Sequence, residues 1–432
     1  MNRKIITIII IIIIAVFLSI FFYDFGKRPT PMPQITTTTS ITSTISITTA
    51  NDSGATPEGV NSVVNSNNQF AFGLYSEYKS QKSNIFFSPY SISTALAMTY
   101  EGARGKTAEE IQSVFHFPKD DKIRRPAFAK IYNEINKKDK KYKLSTANAL
   151  WAQKDYQFLS DYFSLTEKYY GGKVTNLDFI KDPEGSRLTI NSWVEEQTNN
   201  KIKDLIPRGE IDELTRLVLT NAIYFKGNWL KQFDKNNTRE QDFRVSPGKT
   251  VKAQMMSLTG EEVRFNYTET DKLQILELPY DGNELSMLIL LPKEDTLNYL
   301  EESLDAEKLS EWKNNLTEEQ VKVYLPKFKF ETKYFMVDTL KKIGMPTAFS
   351  EYADFSGMTG KKDLFISQVI HQAFVEVNEE GTEAAAATAV IMKREVGGRI
   401  KIFNADHPFI FIIQEKKTGN ILFLGRVDDP TI

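Results

Sequence analysis

The stretch Glu379-Glu380-Gly381-Thr382-Glu383-Ala384-Ala385-Ala386-Ala387-Thr388-Ala389-Val390-Ile391 is the most informative part of this sequence. Alanine is the best helix former, so intrinsic propensity favours a helix here. The stretch nevertheless follows apolar residues at Ala373, Val375 and Val377, and this alternation predicts a strand. If the strand continues, one face carries only small residues, namely Thr382, Ala384, Ala386 and Thr388. Such a segment could enter an existing sheet without overpacking the core, and a conflict between propensity and pattern is expected at a functional site.

The overall composition is that of an ordinary globular protein. Of the 432 residues 41% are hydrophobic and 25% are charged, and the net charge of −2 gives no reason to expect a nucleic-acid partner. The absence of cysteine excludes disulfides, thiolate metal ligands and a cysteine nucleophile. The three histidines, His116, His371 and His407, show no metal-ligand spacing, and no phosphate-binding loop or nucleophile elbow is present. The sequence therefore predicts no enzyme activity, no metal and no cofactor.

The N-terminal part differs from the rest in character. Within residues 1–28, the segment Asn2-Arg3-Lys4 precedes an apolar run over residues 5–23 that is long enough to cross a bilayer as a helix. No small-x-small cleavage site follows, so an uncleaved signal anchor is favoured over a cleaved signal peptide. Residues 29–59, rich in Pro, Thr and Ser, are predicted to be an extended linker, either an O-glycosylated stalk or an undecorated tail. Residues 60–432 would then form one domain outside the cell, held at the membrane or secreted.

Within that domain, helices are predicted first and strand pairs later. Helices are indicated over residues 67–80, from the Ser88-Pro89 cap to Gly102, and from a capping box at Thr107-Ala108-Glu109-Glu110. Strands are indicated by the apolar run 217–225, by residues 273–280 and 284–291 around Asp281-Gly282, by alternation at Val321, Val323 and Leu325, and by residues 409–413 and 421–424. This order predicts an α+β fold with mixed or antiparallel sheets.

Five segments, in the same order along the chain, resemble the serpin family. They are Asn84-Ile85-Phe86-Phe87-Ser88-Pro89-Tyr90-Ser91-Ile92-Ser93, Thr220-Asn221-Ala222-Ile223-Tyr224-Phe225-Lys226-Gly227-Asn228-Trp229, the hinge quoted above, Phe403-Asn404-Ala405-Asp406-His407-Pro408-Phe409 and Phe423-Leu424-Gly425-Arg426. The resemblance implies three β-sheets, eight or nine helices and an exposed reactive-centre loop on a metastable monomer. A target serine protease would cleave that loop and form an acyl-enzyme. The freed hinge would then insert into the large sheet and trap the protease in a covalent complex.

The resemblance also assigns roles to individual residues. The hinge comprises Glu379, Glu380, Gly381, Thr382, Glu383, Ala384, Ala385, Ala386, Ala387 and Thr388. A "shutter" cluster, where the sheet must open, comprises Ser88, Ser91, Asn221 and His371, and Trp229 occupies the "breach", where the hinge first enters. Without the resemblance, the same positions would be interpreted as a helix cap, a strand histidine and a core tryptophan. A small-residue hinge of this kind favours an inhibitor over a non-inhibitory serpin relative with a binding or chaperone-like role, or over a purely structural surface protein.

Two ways of counting place the cleaved bond one residue apart. Counting back from Phe403 gives Arg394-Glu395, and counting forward from Gly381 gives Glu395-Val396. Arg394 would suit the acidic primary pocket of a trypsin-like protease, with Lys393 as a neighbouring register, whereas Glu395 would require a rarer Glu-specific enzyme. We favour Arg394-Glu395, and a cysteine protease as target stays open.

Four Asn-x-Ser/Thr sequons are candidate glycosylation sites. They begin at Asn51, Asn236, Asn266 and Asn315. Such triplets often occur by chance, so each is a candidate only.

Overall fold

Helices dominate the first half of the folded chain. The computed structural model describes residues 49–137, 139–261, 263–293, 297–382 and 400–432. Ten α-helical segments lie in these ranges: α1 (Pro57–Tyr78), α2 (Pro89–Gly102), α3 (Gly105–Phe115), α4 (Asp121–Ile135), α5 (Ser160–Tyr170), α6 (Pro183–Gln197), α7 (Leu297–Ser303), α8 (Ala306–Asn314), α9 (Val337–Ile343) and α10 (Ser356–Thr359). Three of them, α7, α9 and α10, have seven residues or fewer, which accounts for the excess over the expected eight or nine.

A six-stranded sheet contains the predicted central strand and the hinge. Its order is β11 (Phe328–Phe335), β12 (Gln368–Val377), β13 (Gly381–Thr382), β4 (Leu217–Asn228), β2 (Tyr142–Gln153) and β3 (Lys173–Leu177). Strands β12 and β4 are parallel and pair directly from Gln368 opposite Val218 to Phe374 opposite Tyr224. Beyond that point the two-residue strand β13 lies between them. The sheet is therefore already separated at one end.

The other ten strands are hydrogen-bonded to one another. They are β1 (Ile85–Phe87), β5 (Arg239–Ser246), β6 (Lys249–Leu258), β7 (Arg264–Glu269), β8 (Leu273–Pro279), β9 (Leu285–Pro292), β10 (Thr317–Pro326), β14 (Lys401–Asn404), β15 (Phe409–Glu415) and β16 (Ile421–Val427). Nine of them follow a single path, and β14 lies off that path and pairs with β10. The first half of β10 pairs with β7, and its second half pairs with β6. The three expected sheets are thus present, with two of them sharing β10, and the α+β fold class is confirmed.

The large sheet is covered on both faces, so its central strand is apolar throughout. Helix α2, almost wholly buried, packs on one face and belongs to the main core. On the other face, Ile190 and Val194 of α6 pack with Trp151 and Val218 of the sheet in a second, smaller core. A strand buried on both faces lacks polar alternation, which is why residues 217–225 read as one apolar run.

The predicted strand pairs are confirmed. The turn Asp281-Gly282 joins β8 to β9, and the turn before Ile421 joins β15 to β16. The side chains of Val321, Val323 and Leu325 are buried, as their alternation indicates. The second helix begins at Pro89, and the Ser88 hydroxyl accepts the Ser91 N–H as a cap.

The folded region begins earlier than predicted. Helix α1 starts at Pro57 rather than residue 67, so it begins inside the predicted linker 29–59. The Thr56 hydroxyl accepts the Gly59 N–H, and Pro57 occupies the first turn, which together make a standard helix start. Further upstream, Ala50 is buried and its backbone bonds to the Asn133 side chain. The Thr-Pro signal was obscured by the Thr-rich tract before it.

The predicted capping box at Thr107 is wrong, although the helix exists. Helix α3 begins at Gly105, so Thr107 lies within its first turn. The Thr107 hydroxyl accepts the Asp354 N–H at 2.9 Å instead. The Glu110 carboxylate accepts the backbone N–H and the hydroxyl of Thr347, both at 2.8 Å. The side chains of Thr107 and Glu110, which would have formed the cap, instead bond to residues distant in sequence.

Within the described ranges, no helix is both long and apolar enough to cross a bilayer. The predicted anchor, residues 1–28, lies outside those ranges.

Candidate functional site

The hinge begins with a tight reversal of the chain after β12. Asn378 and Gly381 exchange backbone hydrogen bonds of 2.9 and 3.2 Å, and the Asn378 side chain accepts the Glu380 N–H at 3.0 Å. Gly381 has a φ of +155°, and a Cβ there would lie 2.1 Å from the Gly227 carbonyl oxygen. Only glycine can occupy this position, because any side chain would collide with the backbone of β4.

Thr382 is the last hinge residue that the structure describes, and it is already part of the sheet. It pairs with Gly227 of β4 on one side and with Val377 of β12 on the other. Its side chain is buried, and Oγ1 lies 2.8 Å from the Tyr280 hydroxyl. The start of the hinge is therefore a short strand between β12 and β4.

Trp229 holds the reversal of the chain by two hydrogen bonds. Its backbone N–H donates to the Glu380 carbonyl at 2.8 Å, and its indole N–H donates to the Asn378 carbonyl at 3.0 Å. The indole stacks on the Tyr280 ring, with centroids 4.7 Å apart. Sequence reasoning missed Tyr280. It lies just before the Asp281-Gly282 turn, and the sequence pattern predicted only that a strand ends there.

Glu379 is a buried carboxylate that fixes the reversal to two other segments. Lys327 pairs with it at 3.0 Å, the Thr238 hydroxyl donates to it at 2.8 Å, and its carbonyl accepts the Phe233 N–H at 2.9 Å. Burial alone would raise the pKa of Glu379, but hydrogen bonds from the backbone, Lys327 and Thr238 outweigh burial and lower it. Glu379 is therefore ionised at neutral pH. The neighbouring Glu380 forms an ion pair with the exposed Lys235.

The four predicted shutter residues lie together, where a row of side chains across the large sheet meets the start of helix α2. Asn221 of β4 is opposite His371 of β12 and also opposite Asn148 of β2. The Asn221 side-chain amide donates to the Ser91 hydroxyl and to Asn148 Oδ1, both at 2.6 Å. The Ser91 hydroxyl also donates to Asn148 Oδ1, at 2.9 Å. Asn148 was missed, because a single asparagine in an apolar strand carries no signal of its own.

His371 joins this row to the start of α2. Its Nε2 accepts the Ser88 N–H at 3.1 Å, and its Nδ1 contacts Asn221 Oδ1. An amide oxygen can only accept, so the ring must be the neutral tautomer with its proton on Nδ1. Burial lowers the pKa of His371 to about 3, which agrees with a neutral ring. The Ser88 hydroxyl donates to the Leu422 carbonyl at 2.6 Å and so connects the cluster to β16.

The remaining predicted hinge residues and the predicted scissile bond lie outside the described residues. These are Glu383, Ala384, Ala385, Ala386, Ala387 and Thr388, together with Arg394, Glu395 and Val396. The chain is described again from Ile400, and β14 then pairs in parallel with β10. No cluster of His, Cys, Asp or Glu in the described part of the chain could hold a metal ion.

All four sequon asparagines are exposed, but their side chains make different hydrogen bonds. Asn266 donates to the Glu277 carboxylate at 2.6 Å from within β7, and Asn315 donates to the Glu311 carbonyl at 3.1 Å. Asn51 accepts the Ser53 N–H at 3.0 Å, and Asn236 lies in a 3-10 turn beside Lys235. Asn266 would have to give up a charged partner to carry a glycan, so it is the least suited of the four.

Residues 65–430 match the model of the serpin (serine protease inhibitor) family. The match spans more than half of the chain. The chain belongs to the serpin family. The expectation drawn from the five sequence segments is thus confirmed at the level of family and fold.

Individual relatives cover nearly the whole folded part of this serpin. A serpin-like protein of Methanosarcina acetivorans is 45% identical over 85% of this chain and 86% of its own length. The leukocyte elastase inhibitor of Equus caballus is 45% identical over 80% of this chain and 93% of its own. The structure of human thyroxine-binding globulin in complex with its ligand superposes with a TM-score of 0.79 and 32% identity, over 87% of this chain and 100% of that one.

Proposed function

We propose that this serpin is a suicide-substrate inhibitor of serine proteases, with a trypsin-like enzyme as the favoured target. Cleavage of the loop at Arg394-Glu395 would leave the protease acylated on the new carboxyl end. The freed hinge would then continue the strand that Thr382 has begun. The proposal is that this movement carries the protease along the sheet before the ester is hydrolysed.

The register at Thr382 indicates how insertion would proceed. Thr382 lies between Gly227 and Val377, and continuing that register places Thr388 between Asn221 and His371. These two residues now pair directly. In the same way each of the seven direct pairs of β12 with β4 would receive one residue of the segment 385–391. The pairings of Thr382 and the direct pairs between β12 and β4 thus align these two strands in the same register. This agreement supports insertion between β12 and β4.

The single observation that carries the proposal is the position of Thr382, seated between β12 and β4. The hinge residues that would follow it on the core-facing side are Ala384, Ala386 and Thr388, all small. About ten additional strand residues, each with a net hydrogen-bond contribution of about 1 kcal/mol, would provide a large driving force. An uncleaved loop limits that gain, because its far end is held by β14.

The test is to incubate the full chain with trypsin and, separately, with a Glu-specific protease. We expect a trypsin complex that survives denaturing electrophoresis, and a released C-terminal peptide that begins at Glu395 by mass spectrometry. Replacing both Lys393 and Arg394 by alanine should abolish the trypsin complex, whereas Glu395→Gln should leave it intact. Clean cleavage without a complex, by either protease and across a wider panel, would contradict inhibition.

A non-inhibitory binding role is the second candidate. It is favoured by one observation, that human thyroxine-binding globulin shares the fold at 32% identity. A binding protein has no need of a hinge that enters the sheet, so the seating of Thr382 argues against it here. Cleavage of the loop without formation of a covalent complex would favour this candidate.

We also propose that residues 1–28 hold the inhibitor on the outer face of the cell membrane as a monomer. The apolar run at residues 5–23 supports this proposal. Fractionation of cells that express the full chain tests it: the protein should sediment with membranes and be accessible to protease added outside. Recovery of a shortened chain in the medium would instead indicate a cleaved signal peptide.

A further inference from the structure

A lysine lies over the seam of the large sheet, where β4 and β12 pair directly. Tyr224 of β4 and Phe374 of β12 are direct partners, and theirs is the last such pair before β13 separates the two strands. The Nζ atom of Lys201 lies 5.9 Å from the centroid of the Tyr224 ring and 6.0 Å from that of the Phe374 ring. One cation thus contacts two rings, one from each of the strands that must part.

The chain on both sides of Lys201 is held in place. Asn199, which follows the end of α6, has a φ of 53°, in the left-handed region. Its side chain accepts a hydrogen bond from Lys143 at 2.7 Å and donates one to Ser145 at 3.1 Å, and both of these residues belong to β2. Ile202, which follows Lys201, is buried in the smaller core. The lysine backbone is therefore fixed above the sheet.

The two rings can share this cation only while β4 and β12 are neighbours. Adjacent strands lie about 4.8 Å apart, so a strand inserted between them would roughly double that separation. A charge that contacts both rings at the limit of about 6 Å would then have to leave at least one of them. The strand that begins at Thr382 meets this obstacle three residues further along, because Gly227 and Val377 precede Tyr224 and Phe374 by that number.

A second lysine at the same ring provides a contrast. Lys329 of β11 lies 5.7 Å from the centroid of the Phe374 ring. Strands β11 and β12 are paired from Phe328 to Phe335, and both lie on the same side of the seam. Opening of the seam therefore leaves the contact of Lys329 intact. Lys201 differs from it because its second ring lies across the seam.

We propose that Lys201 is a positioning residue that stabilises the closed sheet at this seam and so limits the rate at which the hinge inserts. This inference rests on the proposed function, because it concerns the rate of insertion. The positive charge carries the effect, since ring faces attract a cation electrostatically and an uncharged side chain of similar length would only pack against them. Release of the hinge by cleavage would supply the free energy that breaks the contact.

The test measures the opening of the seam without a protease. The probe is a synthetic peptide with the sequence of residues 383–391, added to the full uncleaved chain, and native mass spectrometry follows its uptake. We expect Lys201→Met to take up the peptide faster, by about threefold or more, because methionine keeps much of the length but not the charge. Lys201→Arg should stay within about twofold of the parent, because a guanidinium also stacks on aromatic rings.

The matched control is Lys329→Met, which removes a charge from the same Phe374 ring on one side of the seam only. Its uptake rate should equal that of the parent. Equal acceleration by both methionine variants would indicate general loosening and overturn the inference, and so would a Lys201→Met rate equal to the parent rate. If the peptide enters neither the parent nor any variant, insertion itself fails, and the proposed function fails together with this inference.

Discussion

The Tyr280 hydroxyl lies 2.8 Å from Oγ1 of Thr382, and both groups are buried. This contact joins a hinge residue to a tyrosine that itself stacks on Trp229. The start of the hinge is thus held in the large sheet and joined to the core at one point. Under the proposed mechanism, insertion would extend this existing strand rather than start a new one.

Replacing Thr382 by arginine should convert the inhibitor into a substrate. A long charged side chain has no place in the site between Gly227 and Val377, and burying its charge there without a partner is costly. We expect rapid cleavage by trypsin with little or no stable complex. Thr382→Ser, which keeps the hydroxyl, should inhibit like the parent. Equal inhibition by the arginine variant would contradict insertion.

The Tyr280–Thr382 contact should contribute a measurable coupling energy. Tyr280→Phe and Thr382→Val each remove one partner of a buried hydrogen bond, so each should lower the free energy of unfolding by about 1 kcal/mol or more. The double variant should lose less than the sum of the two, because the second change leaves no additional group unpaired. Urea unfolding of the uncleaved chain measures all three, and strict additivity would show that the contact is not made in solution.

The ion pair of Lys327 with Glu379 should stabilise the hinge turn in a pH-dependent way. Lys327→Met leaves a buried carboxylate without its charged partner, at an expected cost of about 1–3 kcal/mol at pH 7. The pKa of Glu379 is lowered in the fold, so its stabilising effect is complete above about pH 4.5 and is lost as the pH falls below that value. The difference in urea midpoint between variant and parent should therefore shrink towards pH 3. A difference that stays constant from pH 7 to pH 3 would refute the assignment.

His371 should make the fold less stable in acid. Its pKa is about 3 in the fold and about 6.5 in an unfolded chain. Between these values the unfolded chain binds the additional proton. Stability should therefore rise with pH from about 3 to 6.5, by up to about 1.4 kcal/mol per pH unit, and be flat above. His371→Gln should remove that part of the slope, and an unchanged slope would mean that the ring is not buried as described.

Local sequence patterns predicted much of the fold where neighbouring residues alone determine the backbone conformation. The run at residues 217–225 is apolar throughout because both faces of that strand are buried. The dipeptide Asp281-Gly282 is a strong hairpin signal because Asp-Gly suits the tight turn between two antiparallel strands. The small residues of the hinge led to the prediction of a segment that could enter the sheet, but the reversal of the chain between Asn378 and Gly381 was not predicted. The alternation through Val377 had indicated that the strand continued, whereas the chain turns back and pairs antiparallel with β12.

The partners of the site could not be predicted in this way. Lys327, Thr238 and Asn148 come from parts of the chain that are distant in sequence from the residues they contact. A lysine before an apolar strand, or an asparagine within one, looks the same whether it faces solvent or a buried carboxylate. Tertiary context also removed the predicted cap at Thr107, because Asp354 took its hydroxyl.

The most direct test of hinge insertion compares the thermal stability of the intact and the loop-cleaved protein. Cleavage within the loop by a protease that is not trapped releases the hinge from β14 without attaching a partner. If the hinge then inserts, about ten new strand residues at about 1 kcal/mol each should raise Tm by about 10 °C or more. Thr382→Arg should show little rise. A cleaved parent chain with the same or a lower Tm than the intact one would contradict insertion.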